Sequence, residues 1–184
     1  MRKGISLLVY IFINLSNNIR YKIKKIKDYS KLHTIDRTDI RILKIIQKKG
    51  RITNSQLSDE ISLSPSACHR RVLRLEKDNI IRDYVALIDP IKVGLSTTVF
   101  VEITLNGQTD EVLDKFEKEV KKIPNVLECN LMAGSADYLL KVVAEDTDDF
   151  ARLHRKFLSR LPGVAQVQSS FSLKTVLKGT VLPV

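Results

Sequence analysis

No CxxC pair and no Cys/His spacing of the kind that holds zinc occurs in this chain, which has only two cysteines, Cys68 and Cys129. A metal-organised fold is therefore not expected. Both thiols read as reduced core residues, Cys68 on a helical stripe and Cys129 in an apolar strand. Histidine is equally scarce: His33, His69 and His154 are scattered along the chain. No catalytic triad, carboxylate pair or phosphate-cradling glycine loop accompanies them, so no catalytic residue, metal or cofactor is expected and the chain does not read as an enzyme. Long apolar runs are missing too. Ile5 to Leu15 is mostly apolar behind Met1-Arg2-Lys3, but a membrane helix needs about 20 such residues and no small-x-small cleavage site follows. The expectation is a cytoplasmic protein with no membrane partner.

What the chain does have is positive charge, unevenly placed. The formal net charge is +10 over 184 residues, with +7 in residues 1–31, +5 in 32–82 and −2 in 83–184. A basic N-terminal half ahead of a mildly acidic C-terminal half fits a nucleic-acid module joined to something of another kind. The length allows two small domains. Residues 1–31 stand apart, with no helix caps and no sustained period. They admit three readings: a non-native extension upstream of a start near Lys31, a basic arm that touches DNA, or a membrane tether.

The stretch Thr53 to Arg82 carries the strongest signal. Thr53 and Gln56 form a capping box, and Leu57 and Ile61 give the helix that follows an apolar face. Ser64-Pro65 repeats the start signal with a serine cap and a proline at the first helical position. On this second helix Cys68, Val72 and Leu75 define a buried stripe, and the opposite face centres on Ser66, Arg70 and Lys77, flanked by His69 and Arg74. Arginines opposite a core stripe commonly form only a solvated face. Two capped helices in tandem at this spacing point instead to a helix-turn-helix DNA reader. The candidate DNA contacts are Thr53, Asn54, Ser64, Ser66, His69, Arg70, Arg71 and Arg74. Leu73 also projects outward, toward a thymine methyl or a neighbouring element. Upstream, Asp36 to Lys49 supplies a third helix with Ile40, Leu43 and Ile46 or Gln47 on one side, Asp36 and Asp39 in its first turn, and Gly50 after its end.

The C-terminal half repeats itself. Ile123-Pro124-Asn125-Val126 and Leu161-Pro162-Gly163-Val164 each end an amphipathic helix and open an apolar run. The first helix, Asp110 to Lys122, has Val112, Phe116, Val120 and Ile123 on one face. The second, Thr147 to Arg160, has Phe150, Leu153, Phe157 and Leu161. Strands are expected at Thr97 to Leu105, Val126 to Ala133, Tyr138 to Ala144 and Val164 to about Val176, with a tight link at Gly134-Ser135. A duplicated βαβ closes as a four-stranded antiparallel sheet with both helices on one face, the ferredoxin-like fold. The bare face, with Phe100, Glu102 and Thr104, argues for sheet-to-sheet dimerisation. Ile80 to Asp89 reads as a short linker strand, because it lacks the Gly/Ser content of a flexible tether.

From about Leu32 to Val176 the chain resembles the Lrp/AsnC family of regulators. The resemblance rests on Ile35 to Leu43, on Leu63 to Cys68 with Arg71 to Glu76, on Phe100 to Leu105, on Gly134 to Lys141 and on Leu161 to Val164, in that order and spacing. It implies an α+β protein. A three-helix, winged helix-turn-helix domain (32–82) leads through a linker (83–96) to a ferredoxin-like βαββαβ domain (97–176) for effector binding and oligomerisation, with a tail at 177–184. The implied partners are double-stranded DNA, an amino-acid effector and further copies of the chain, as a dimer assembling to a tetramer or octamer. The implied effector site is Leu131, Met132, Gly134, Ser135, Asp137 and Tyr138. There Gly134 admits a carboxylate close to backbone donors, Asp137 pairs with an α-ammonium, and Leu131 and Met132 shape a pocket. The same residue types also build a plain hairpin turn, with Asp137 its polar companion. His69, Arg70 and Leu73 depart from the best-known family member, so base preference does not carry over. Sirohaem decarboxylases resemble the same two-domain build and supply the enzymatic alternative, but their chemistry needs basic and histidine side chains gathered in one pocket.

Overall fold

The computed structural model describes residues 35–184; the extension 1–31 and His33 lie outside the described residues. The described residues divide into two compact units, 35–88 with Thr175–Val184, and Asp89–Lys174.

The first unit is helical. Helix α1, Arg37–Lys48, opens on a capping box in which Asp36 accepts from the Asp39 N–H and Asp39 accepts from the Asp36 N–H. Helix α2, Asn54–Ile61, opens on the Thr53–Gln56 box that its sequence announces. It stops at Ser62, whose left-handed backbone (φ 58°, ψ 48°) lets the Leu63 N–H reach back to the Ser58 carbonyl at 3.0 Å. Helix α3, Pro65–Lys77, follows at once, capped by Ser64 with proline at its start. Ile42, Leu57, Ile61, Cys68 and Leu75 form the core, with Leu43, Ile46, Ile52, Leu63, Val72, Ile80 and Ile81 packed around it. The stripe on α1 is rotated from the expected one: its buried residues are Asp39 and Ile42, while Ile40 and Leu43 are half-buried. The cause is Asp39, whose carboxylate turns inward to two arginines of α3.

Beyond α3 the expected linker strand does not form. Residues 83–89 pair with no strand among the described residues, and Val85, Leu87 and Ile88 stand exposed. A strand is stabilised by its ladder, and the described residues supply no partner for this segment. The C-terminal segment Thr175–Val184 belongs to the helical unit. The Gln47 side-chain amide accepts from the Leu182 N–H at 2.7 Å and donates to the Leu182 carbonyl at 3.4 Å.

The second unit is a sheet covered on one face. Strands β1 (Thr97–Leu105), β2 (Val126–Leu131), β3 (Tyr138–Ala144) and β4 (Val164–Phe171) run antiparallel in the order β2-β3-β1-β4. Helices α4 (Asp110–Val120) and α5 (Thr147–Lys156) make the two crossovers. Val99, Val101, Ile103 and Leu105 of β1 point into the helix-covered core with Tyr138, Leu140 and Val142 of β3. Phe116 and Tyr138 stack there with ring centroids 4.5 Å apart. The element ends fall short of expectation. β2 stops at Leu131 rather than Ala133, and β4 at Phe171, paired with Val99 of β1, rather than near Val176. Helix α5 gives way after Lys156 to a 3-10 turn, Leu158–Arg160, which leaves Phe157 half-buried and buries Leu158. On α4 likewise Leu113 is buried where Val112 was expected.

Candidate nucleic-acid interface and effector loop

Ser66, His69 and Arg70 stand exposed on the face of α3 opposite Cys68 and Leu75. Around them are the caps. The Ser64 hydroxyl accepts from the Ala67 N–H and lies 3.3 Å from the Ser66 hydroxyl. Asn54 donates through its side-chain amide to the Pro65 carbonyl at 2.9 Å, so it ties the start of α2 to the start of α3. Thr53 is engaged in its own capping box. These contacts fix the turn between the two helices and leave the hydroxyls at the solvent edge. A depression of about 380 Å³ runs beside them, lined by Leu63, Ala67, Arg70, Arg71 and Arg74. Such a cationic hollow suits a phosphate group.

The three arginines are not equivalent. Among the described residues no carboxylate lies within salt-bridge distance of Arg70. Arg71, by contrast, donates to Asp36 at 2.6 Å and to Asp39 at 2.9 Å, and Arg74 donates to the other oxygen of Asp39. The Asp39 side chain is wholly buried. The Asp39 N–H, and after it the Arg71 side chain, hold the Asp36 carboxyl down at about 2. The same pairing raises the Arg71 guanidinium further above its usual range. The sequence places Arg74 at the flank of the exposed face and counts Arg71 among the candidate DNA contacts. It misses their buried partner Asp39, which lies 32 and 35 residues away along the chain.

The loop between β2 and β3 runs from Met132 to Asp137, longer than the tight link expected at Gly134-Ser135. The Met132 N–H donates to the Asp137 carbonyl at 2.8 Å and closes it. Leu131, Met132, Gly134 and Ser135 are exposed, and nothing lies within 4 Å of where a side chain on Gly134 would begin. The other two candidates point elsewhere. The Asp137 carboxylate is buried and accepts from the Leu105 N–H at 2.7 Å and from the Gln108 side chain, so the structure commits it to β1 rather than leaving it free for an α-ammonium. Tyr138 is a core residue whose hydroxyl donates to Glu117 at 3.0 Å. Cys129 corrects another expectation. It sits exposed on the edge strand β2, because the helices do not extend over that edge. Neighbouring atoms still desolvate its thiol and, with the Glu117 carboxylate, push it up to about 11.

Among the described residues no group of His, Cys, Asp and Glu is placed to hold a metal ion, and no helix is long and apolar enough to cross a membrane.

Comparison with known proteins bears on both units. Residues 35–82 match a winged helix-turn-helix DNA-binding model, and residues 98–182 match the Lrp/AsnC ligand binding domain. An uncharacterised helix-turn-helix transcriptional regulator of Sinorhizobium fredii is 48% identical over 120 residues, 65% of this chain and 94% of that protein. The leucine-responsive regulatory protein of Escherichia coli is 41% identical over 142 residues, 77% of this chain and 87% of its own. Among solved structures, a transcriptional regulator from Neisseria meningitidis, determined as a complex with L-methionine, is 39% identical. It superposes with a TM-score of 0.78 over 82% of this chain and 97% of that one. An AsnC family regulator from Agrobacterium tumefaciens follows at 34% identity and 0.77, over 80% and 96%. The chain belongs to the Lrp/AsnC family of transcriptional regulators, with a helix-turn-helix DNA-binding unit ahead of the family's ligand-binding domain.

Proposed function

We propose that the chain reads double-stranded DNA through the outward face of α3, with Ser66, His69 and Arg70 at its centre and Thr53, Asn54 and Ser64 holding the turn. The observation that carries this reading is the contrast among the arginines: Arg70 faces solvent with no carboxylate partner among the described residues, while Arg71 and Arg74 are paired. A guanidinium free in this way supplies forked donors to a guanine edge or to phosphate.

The regulator responds to an amino acid bound at the exposed end of β2, Leu131, and the loop residues Met132, Gly134 and Ser135 that follow it. The Neisseria relative, determined with L-methionine, supports that ligand class. Because Asp137 is engaged, backbone groups of the open loop rather than its carboxylate meet the ligand's charged ends. A second copy covers the bare sheet face around Phe100 and Leu139, giving a dimer that assembles to a tetramer or octamer. The protein works in the cytoplasm and catalyses no reaction. The decarboxylase alternative gains no support, since His69 and His154 lie on α3 and α5 of two different units and the relatives named above are transcriptional regulators.

Fluorescence anisotropy on a duplex selected from random sequence tests the DNA face. Affinity is expected to fall steeply with salt, and Arg70→Ala to weaken binding and flatten the slope of log K against log salt by about 0.9 per lost phosphate contact. Arg70→Ala binding as the wild type at every salt concentration would remove α3's outward face from the reading.

A further inference from the structure

Asp39 is out of place by ordinary rules. Carboxylates are seldom fully buried unless paired, and this one lies on the core stripe of α1, one turn before Ile42. Its partners explain the burial. One oxygen accepts from Arg71 at 2.9 Å; the other accepts from Arg74 and from the Asp36 N–H at 3.1 Å. Arg71 extends the network to the Asp36 carboxylate at 2.6 Å. Two acids of α1 thus hold two arginines three residues apart on α3, directly beside Arg70.

A carboxylate engages the same forked donors that grip phosphate, so a guanidinium held by one is withheld from the other. The pairing also fixes the rotation of α3 about its axis, because Arg71 and Arg74 are anchored from one side to a group that cannot swing into solvent. We propose that Asp39 is a positioning residue for DNA reading: with Asp36 it occupies Arg71 and Arg74, sets which face of α3 meets DNA, and leaves Arg70 as the arginine of that face without a carboxylate partner among the described residues. The inference rests on α3 being the DNA reader. It reassigns two of the arginines that the sequence offers as DNA contacts, and it gives Asp39 a part in discrimination. An arginine freed from Asp39 adds attraction to any phosphate backbone and no information about bases.

The test compares the wild type with Arg70→Ala, Arg71→Ala, Arg74→Ala and Asp39→Asn. Each is titrated on its selected duplex and on a scrambled one across a salt series, with circular dichroism to confirm folding. Arg71→Ala and Arg74→Ala are expected to keep the wild-type salt slope while Arg70→Ala flattens it. Asp39→Asn is expected to bind the scrambled duplex more tightly, with a steeper slope, and to lower the ratio of specific to non-specific affinity about tenfold. A merely structural Asp39 would weaken both duplexes together and leave the slope unchanged. Where an alanine variant does not fold, Arg71→Gln or Arg74→Gln takes its place, removing the charge but keeping an amide donor toward Asp39. Arg71 or Arg74 variants that lose slope as Arg70→Ala does would overturn the inference while leaving α3 as the reader. A wild type without salt-dependent binding to either duplex would overturn the reading of α3 itself, and the inference with it.

Discussion

At the scale of single residues, the helical unit is held by acids that each do two jobs. Asp36 caps α1 and also receives Arg71. Its carboxyl, ordinarily at 3.8, sits at about 2 because the Asp39 N–H and then Arg71 favour the charged form. A depressed folded value means that the contribution to stability is present above the unfolded pKa of about 4 and is lost as pH falls toward 2. The melting temperature of the wild type is therefore expected to drop over that window more than that of Asp36→Asn, measured by circular dichroism at the two ends. Parallel curves would refute the coupling. The caps themselves were legible in the sequence: Thr53–Gln56 and Ser64-Pro65 act within three residues, so local spacing determines them. Asp39 and Asp137 were not. Asp39 meets partners 32 and 35 residues away and Asp137 meets Leu105 and Gln108, 32 and 29 residues away. A polar residue whose burial depends on such distant partners looks like any surface acid until the chain is folded.

At the scale of elements, punctuation was easier to read than extent. Leu161-Pro162-Gly163-Val164 does end one element and open the next. Gly163 at φ 76° follows a proline, the order a type II turn requires, and its carbonyl accepts from the Asn106 N–H at 2.8 Å. The matching Ile123-Pro124-Asn125-Val126 also closes with a hydrogen bond from Val126 to Ile123. There Asn125 does not take a positive φ, and its side chain donates instead to the Val143 carbonyl at 2.9 Å. The two copies of the motif have diverged at the residue that makes the turn. A β-carbon on Gly163 would sit 2.9 Å from Val112 Cγ1, in a backbone conformation that L side chains rarely adopt. Gly163→Ala is expected to cost about 1–3 kcal/mol, read as a lower urea midpoint. An unchanged midpoint would contradict the turn assignment. Strand ends and the linker strand escaped the sequence for one reason: apolar alternation marks which residues are able to pair, while the partner strand decides where pairing stops. The last pair of β4 with β1 is Phe171 with Val99, and the apolar segment 83–89 has no partner among the described residues.

At the scale of the whole molecule, two independent patterns converge. The tandem caps of residues 53–65 and the duplicated βαβ of residues 97–171 each correspond to a compact unit. The charge difference between the halves matches the division into two units, the DNA-binding one being the more basic. The ferredoxin-like half was legible because its repeat is strong and its strands alternate. Its candidate effector site was legible only as an exposed turn: of six candidate residues, Asp137 and Tyr138 are buried, Leu131 ends β2, and Met132, Gly134 and Ser135 lie in the open loop. The proposed function is that of a regulator whose grip on DNA is set by an amino acid. A nuclease footprint on the DNA upstream of its own coding sequence, at about 50 mM salt, with and without each amino acid, tests that most directly. The expected result is protection of paired half-sites about 34 Å apart, the separation two symmetry-related recognition helices demand, with an extent that at least one amino acid changes. No protection at that salt concentration would contradict it.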